Sequence, residues 1–212
     1  MIELGLKFTA AYLLGSVLGS LVVGYVRGGV DIREVGSGNP GGTNALRTQG
    51  RLFALWVMVI DVGKGMVAVL VLPNLELFGF GVDPTVNREL VLYAVALAAI
   101  LGHVYPLWFD FKGGKGGATA IGIICVLEPQ LAIAIIALWL AVIAFTGFVG
   151  LATMLGAVAA AAWVGAMRLP QDVGLLGFTT AVALLIVFTH RSNIRRMRDG
   201  TEVRMGTLRR GG

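Results

Sequence analysis

Charge is what this chain has least of. Of its 212 residues only 14% are Asp, Glu, Lys or Arg, whereas 57% are hydrophobic and the mean hydropathy is +0.84. Soluble domains carry about 25% charged and about 45–50% apolar residues, so a soluble globular fold and a disordered chain are both excluded. Cysteine is nearly missing: Cys125, alone in an apolar run, precludes an internal disulfide framework or a Cys-built metal site and reads as a packing residue. Histidine is scarce too. His103 and His190 offer no His-rich metal site, and neither H-E-x-x-H nor the nucleophile elbow G-x-S-x-G occurs. No metal, cofactor or covalent Ser-His chemistry is therefore expected.

Glycine, by contrast, abounds: 31 residues, roughly twice the usual ~7%. Membrane helices tolerate glycine because it lets backbones approach closely. Crossing a ~30 Å hydrocarbon core takes about 20 apolar residues with every backbone polar group satisfied inside a helix. Residues 8–26 and 90–109 are uncharged, 52–75 carries only Asp61 and Lys64, and 173–189 is short but sufficient. The longest apolar run, 129–167, is too long for one span, and Thr146, Gly147 and Gly150 offer a break into two. Residues 116–127 form a short apolar stretch, either a short helix or one arm of a re-entrant hairpin. The expected fold is an all-α integral membrane protein of about seven transmembrane helices, forming one domain over residues 1–212. The small residues Gly15, Ser16, Gly19 and Ser20 in the first span predict close packing inside the molecule rather than a dimer face.

Lys and Arg gather on the cytoplasmic side of membrane proteins. Alternate loops hold Arg27, Arg33, Arg47 and Arg51, then Lys112 and Lys115, then Arg191, Arg195, Arg196, Arg198, Arg204, Arg209 and Arg210. The opposite set holds only Lys7, Arg88 and Arg168. The N-terminus is expected outside and the basic tail inside. The start lacks a basic n-region, so the first helix reads as retained. The net charge of +5 is accounted for by this asymmetry, and no nucleic-acid partner is expected.

Three polar segments exceed what a membrane anchor needs. The first, residues 36–47, reads GSGNPGGTNALR. Its glycines and Asn39 accept left-handed angles, so N–H groups around Gly38 and Gly41 can converge on an anion, with Ser37, Thr43 and Asn44 adding donors and Arg47 a planar fork for phosphate. The second, Lys112-Gly113-Gly114-Lys115-Gly116, leads into a helix whose N-terminal dipole favours anions. It lacks the Walker A spacing, so ATP hydrolysis is not expected. The third, residues 189–202, places His190 and Asn193 at helical i, i+3 spacing within a basic cluster, able to face one site. Inside the spans, Asp61 and Lys64 sit one turn apart, as a functional cavity or as a mutual pair. His103, near a span end, is either a packing hydrogen-bonder or a site residue.

Taken together, GSGNPGGTN at 36–44, G-H-x-x-P with FKGGKG at 102–116 and H-R-x-N-I-x-R at 190–196 resemble the bacterial acyl-phosphate-dependent glycerol-3-phosphate acyltransferases over nearly the whole chain. The resemblance implies a multi-pass enzyme of the bacterial inner membrane whose active site faces the cytoplasm. It would move a fatty acyl group from acyl phosphate to the 1-position of sn-glycerol 3-phosphate, giving lysophosphatidic acid and orthophosphate, the first step of phospholipid synthesis. It associates the first segment with the donor's phosphate, the second with glycerol 3-phosphate and the third with the active centre. Ser37, Asn44, Arg47, Lys115, His190 and Asn193 match residue by residue, and Asp61-x-x-Lys64-Gly65 also fits. His190, Asn193, Lys115 and Ser37 are the implied catalytic residues. Gly38, Asn39, Gly41, Thr43, Asn44, Arg47, Lys64, Lys112, Gly113, Gly114, Gly116 and Thr153 are the implied phosphate-binding ones. Family members often carry Ser at the positions of Gly150 and Thr153; Thr153 keeps a hydroxyl and Gly150 does not. The implied partners are the two substrates and the bilayer, with partnership to the soluble acyl-phosphate synthase left open. The base is either His190 or the donor's own phosphate oxygen.

Two other classes compete. A phosphate or sugar-phosphate transporter commonly shows internal repeats, and none is found; a CDP-alcohol phosphotransferase needs clustered aspartates, and here they are scattered. The charge asymmetry generates the first prediction. Single cysteines placed at Ser37, Lys112 and Ser192 should react only from the cytoplasmic side of intact cells, and labelling of any of them from outside would overturn the assigned orientation.

Overall fold

The computed structural model describes residues 1–206; Arg209 and Arg210 of the basic tail lie outside the described residues. The chain divides into two compact units, Met1–Leu127 and Glu128–Gly212, where the sequence leads to one domain. The first unit holds α1 (Ile2–Gly15), α2 (Gly19–Val26), α3 (Gly42–Gln49), α4 (Arg51–Val71), α5 (Arg88–Val104) and α6 (Gly117–Leu127). The second holds α7 (Pro129–Thr146), α8 (Val149–Met167), α9 (Val173–Thr189) and α10 (Arg191–Arg198). Among the described residues four helices are long and apolar enough to cross a bilayer, or six spans if two bent pairs each count as one: α1 with α2, bent by 46°, and α9 with α10, bent by 52°. At ~1.5 Å per residue, the 11 residues of α6 fall short of a ~30 Å core.

Local chemistry explains the boundaries. Asn87 and Asp172 cap α5 and α9 by accepting the N–H of Leu90 and Leu175. Pro129 opens α7, and Gly147 closes it at φ 74°, splitting the long apolar run. Gly150 lies inside α8 and takes no part in that break. Two differences from the sequence reading stand out. The first span, read as one helix over 8–26, begins at Ile2 and breaks between Gly15 and Gly19. The first Gly-rich segment, read as loop to Arg47, turns helical at Gly42, so Thr43, Asn44 and Arg47 stand on α3.

Backbone proximity organises the first unit. A Cβ on Gly15 would collide with the Ala99 carbonyl of α5, and one on Gly102 with the Tyr12 carbonyl of α1. Gly65 and Gly122 make the same reciprocal approach between α4 and α6, against Thr119 and Val62. Gly19 lies against Val57 and Asp61 of α4. The small residues of the first span thus pack internally, where van der Waals contact between close backbones drives helix association. In the second unit α8 packs on both α7 and α9.

Lys7, Arg88 and Arg168, the cations of the sparse set, are all paired. Lys7 and Arg88 both bond Glu3 Oε1, at 2.6 and 2.7 Å, and Arg168 forks onto Glu128 at 2.7 and 2.8 Å. Lys7 also donates to the Pro73 carbonyl at 2.8 Å, as Arg88 does, which ties the start of α1 to the end of α4 and the start of α5.

Close approach at Gly122 has a measurable sign. Gly122→Ala forces α4 from α6 and should lower stability by about 1–3 kcal/mol, the usual cost of overpacking. Gly5→Ala, with open space at its Cβ, should be neutral or stabilising through helix propensity. Melting temperatures in one detergent compare the two, and equal shifts would refute the packing argument.

Candidate functional site

In the first polar segment the glycines serve a different purpose from the one their spacing suggests. A 3-10 turn at Ile32–Glu34 leads into Gly36 and Gly38, at φ 62° and 70°, and the turn closes on itself. Asn44 is 2% exposed; its amide donates to the carbonyls of Ile32 and Val35 at 2.9 and 3.0 Å, and its oxygen accepts the Ser37 N–H at 3.0 Å. Both amide protons are thereby used, so Asn44, read as a phosphate donor, is instead the clamp of the loop. Gly38 and Gly41 are corrected likewise: their N–H groups donate to the carbonyls of Val35 and Asn39 at 3.1 and 2.9 Å. What remains for an anion is the N-terminal turn of α3, where Gly42, Thr43 and Asn44 have N–H groups without intrahelical acceptors. Ser37 stands exposed before it, Asn39 is half-buried, and Arg47 is half-buried in the last turn of α3.

The second segment repeats this economy. Gly113 and Gly114 donate their N–H groups to the carbonyls of Val104 and His103 at 3.1 and 3.0 Å, capping α5 rather than cradling phosphate. Asp110 and Phe111 carry the return at φ 53° and 57°. After Gly116, at φ 87°, the first turn of α6 opens, with half-buried Lys115 immediately before it and Lys112 exposed. Each polar segment of this unit therefore resolves into a closed turn followed by a helix N-terminus, with Lys115 just before that of α6 and Arg47 in the last turn of α3. Upstream of the two segments, the Arg33 guanidinium lies over the Phe109 ring, 5.3 Å from its centre. Arg33 is bidentate on Asp31, with bonds from 2.6 to 3.0 Å, and these hold the Asp31 carboxyl below the usual carboxylate range. Arg33 was not singled out from the sequence, because only the fold brings Phe109 to it.

Lys64 is also corrected. It is 5% exposed, and its ammonium donates to the carbonyls of Gly15 and Val17 at 2.8 and 2.6 Å and faces His103 Nδ1 at 2.9 Å and Asp61 Oδ1 at 3.0 Å. Three N–H groups facing four partners leave none for phosphate. Of the two readings of Asp61 and Lys64, the mutual pair holds.

In the second unit the third segment forms the bend between α9 and α10. His190 is 5% exposed, and its Nδ1 lies 2.7 Å from the Ile186 carbonyl. A carbonyl only accepts, so Nδ1 carries the proton and Nε2 the lone pair, the tautomer that a general base needs. Asn193 donates to Glu202 Oε1 at 2.7 Å, while Arg196 Nε holds Glu202 Oε2 at 2.6 Å. Glu202 was missed from the sequence; an acid at the end of a strongly basic stretch is the signal that points to it. Gly150 lies against Asn193, whose side chain occupies the space a Cβ there would need. Thr153, read as a phosphate ligand, donates to the Val149 carbonyl at 3.0 Å and accepts from Trp139 Nε1 at 3.2 Å. Its single proton is committed to its own helix. Among the described residues no three His, Cys, Asp or Glu side chains group as a metal site.

The Asn44 clamp carries a prediction. Asn44→Leu leaves buried partners unpaired at about 1–3 kcal/mol each, so hydrogen exchange at the Ser37 amide should quicken roughly tenfold to hundredfold. Unchanged exchange there would show that the loop holds its shape without the clamp.

With this geometry in view, comparison with known proteins is specific. Residues 6–200 match the family model for glycerol-3-phosphate acyltransferase. The glycerol-3-phosphate acyltransferases of Geobacter sulfurreducens and Thermus thermophilus are each 42% identical to the chain, over 195 and 196 residues. These alignments cover 92% of the chain in both cases and 93% and 92% of the respective relatives. The crystal structure of PlsY, an integral membrane glycerol 3-phosphate acyltransferase, superposes in its glycerol 3-phosphate form with a TM-score of 0.82 at 35% identity, covering 97% of both chains. Its lysophosphatidic acid form superposes with a TM-score of 0.79 at 34% identity, covering 97% of this chain and 96% of that one. A match running through both units, with these spans and polar segments, has one reading: the chain belongs to the glycerol-3-phosphate acyltransferase family of integral membrane proteins.

Proposed function

We propose that the whole chain works as one acyltransferase of the bacterial inner membrane, with its chemistry on the cytoplasmic side. It takes the acyl group of a fatty acyl phosphate to the 1-hydroxyl of sn-glycerol 3-phosphate. The hydroxyl oxygen forms the new ester bond to the acyl carbon, the bond from that carbon to the phosphate oxygen breaks, and lysophosphatidic acid and orthophosphate leave. The observation that supports this reading is the pair of helix N-termini in the first unit, that of α3, which also carries Arg47, and that of α6, preceded by Lys115, with the stretches before them in contact through Arg33 and Phe109. Each suits one phosphate, and the reaction brings two together. α3 takes the donor's phosphate, with Ser37 and Thr43 beside it; α6, with Lys115 and Lys112, takes that of glycerol 3-phosphate.

Acyl phosphate is a mixed anhydride with a good leaving group, so the work left to the protein is orientation and stabilisation of the charge that builds on the phosphate oxygens. The base that takes the hydroxyl proton and passes it to the leaving phosphate is either His190, whose Nδ1 bond to Ile186 suits that role, or the donor itself, whose phosphate oxygen can take that proton directly. Asn193, held by Glu202, is the companion of His190 within the second unit.

Thioester donors have no phosphate for α3 to hold, and neither histidine carries the Asp five residues on that thioester-using membrane acyltransferases pair with it; Trp108 and Arg195 stand there. Purified protein in detergent should therefore form lysophosphatidic acid from labelled glycerol 3-phosphate and palmitoyl phosphate, and not from palmitoyl-CoA. Equal or faster transfer from the thioester would sink the donor assignment. Arg47→Ala and Lys115→Ala should each lose roughly tenfold to hundredfold in kcat/KM, the worth of a charge-assisted hydrogen bond of about 1.5–3 kcal/mol. Near-normal rates at low substrate would reduce both to topology signals.

A further inference from the structure

The buried cluster of Asp61, Lys64 and His103 takes no part in the chemistry above, yet it occupies the middle of the first unit at 1%, 5% and 3% exposure. Ionisable groups at such depth are expensive, and a well-packed apolar trio would hold the helices together at least as well. Their bonds show what an apolar trio could not do. Where α1 breaks from α2, the carbonyls of Gly15 and Val17 take the Lys64 ammonium, and the Gly19 N–H that restarts the helix donates to Asp61 Oδ1 at 3.1 Å. The same ammonium lies 2.9 Å from His103 Nδ1 and 3.0 Å from Asp61 Oδ1, which is itself 3.5 Å from that Nδ1. An ammonium only donates, so Nδ1 is the acceptor and the ring proton sits on Nε2.

That Nε2 edge lies against Gly114, where a Cβ would collide with it, and the His103 carbonyl accepts the Gly114 N–H. The ring of His103 is thus the floor of the second polar segment. One residue past Gly19, Ser20 Oγ donates to the Pro40 carbonyl at 3.0 Å, fastening the first segment to α2. Both segments therefore hang from one helix break, the first through Ser20 and the second through Lys64 and His103.

We infer that Lys64 and His103, neutralised by Asp61, are positioning residues that set where Lys115 and the N-terminus of α6 stand relative to α3, and so set affinity for glycerol 3-phosphate. This rests on the reading that α6 receives that substrate. His103 touches the backbone of the segment rather than its charged end, so its removal should displace the anion site without removing any group that contacts phosphate.

The test compares His103→Leu, His103→Asn and Lys7→Met in detergent. Three readouts are taken: glycerol 3-phosphate binding by calorimetry, KM and kcat with palmitoyl phosphate, and melting temperature. Leu removes the acceptor facing Lys64. Asn returns an oxygen near the place of Nδ1. Lys7 belongs to a comparably buried ion cluster eight residues before Gly15 on α1, about 12 Å away, and reports what burial damage alone does. His103→Leu should weaken glycerol 3-phosphate binding and raise its KM about tenfold or more, with kcat and the KM for acyl phosphate changed about twofold at most. His103→Asn should recover most of the affinity, and Lys7→Met should lower the melting temperature with KM unchanged. Wild-type KM and binding in His103→Leu, or the same pattern of loss in His103→Leu and Lys7→Met, would overturn the inference. Because binding is read directly, a wild-type enzyme that binds glycerol 3-phosphate but refuses acyl phosphate overturns the donor assignment while leaving the binding comparison to decide this one.

Discussion

A helix that breaks inside hydrocarbon exposes carbonyls that no water can reach, and each must find a donor within the protein. In this chain the Lys64 ammonium supplies that donor to two of them, at Gly15 and Val17. Asp61 neutralises the charge and accepts the restarting N–H of Gly19. The rest of the first unit follows from that arrangement. With the break satisfied, α1 lies flush against α5 through Gly15 and Gly102, and α4 flush against α6 through Gly65 and Gly122. The first Gly-rich segment then follows α2 and the second follows α5, with Arg33 over Phe109 between the stretches that lead into them.

The glycines of those segments act as punctuation more than as ligands. Gly38, Gly41, Gly113 and Gly114 all give their N–H groups to nearby carbonyls, so each segment closes on itself or on the helix before it. This leaves a rigid turn that delivers the chain into a helix start, and the helix start keeps the unpartnered donors. A preformed donor set has no loop entropy to lose when an anion arrives, which suits an enzyme whose work is orientation. The tail of the second unit follows the same economy: Glu202 returns to Asn193 and Arg196, while Met205 donates to the Gly147 carbonyl and Arg204 lies over Phe148. Basic residues that read as a topology signal are in part structural.

Charge asymmetry is likewise sharper in three dimensions than in one. Lys7, Arg88 and Arg168, the cations of the sparse set, are each paired with Glu3 or Glu128. Pairing removes most of the charge that would otherwise weigh against burying these side chains.

The sequence by itself determined the class of fold, the apolar runs that become helices and the three polar segments, because hydropathy and backbone hydrogen bonding in a bilayer leave few alternatives. It also carried the family, since GSGNPGGTN, FKGGKG and H-R-x-N-I-x-R need only be read in order. The break within the first span was not legible: Val17 and Leu18 are as apolar as their neighbours, and only Lys64 arriving from α4 makes the break affordable. Nor were the roles of single polar side chains. Asn44 and Thr153 have the chemistry of anion donors, and so does Lys64, but a donor serves whatever acceptor lies nearest in space. Those acceptors, the carbonyls of Ile32, Val149 and Gly15, were brought to them by tertiary packing or by helix geometry that no residue type announces. Which hydrogen-bonding groups were left over for a substrate was therefore decided by the tertiary structure alone.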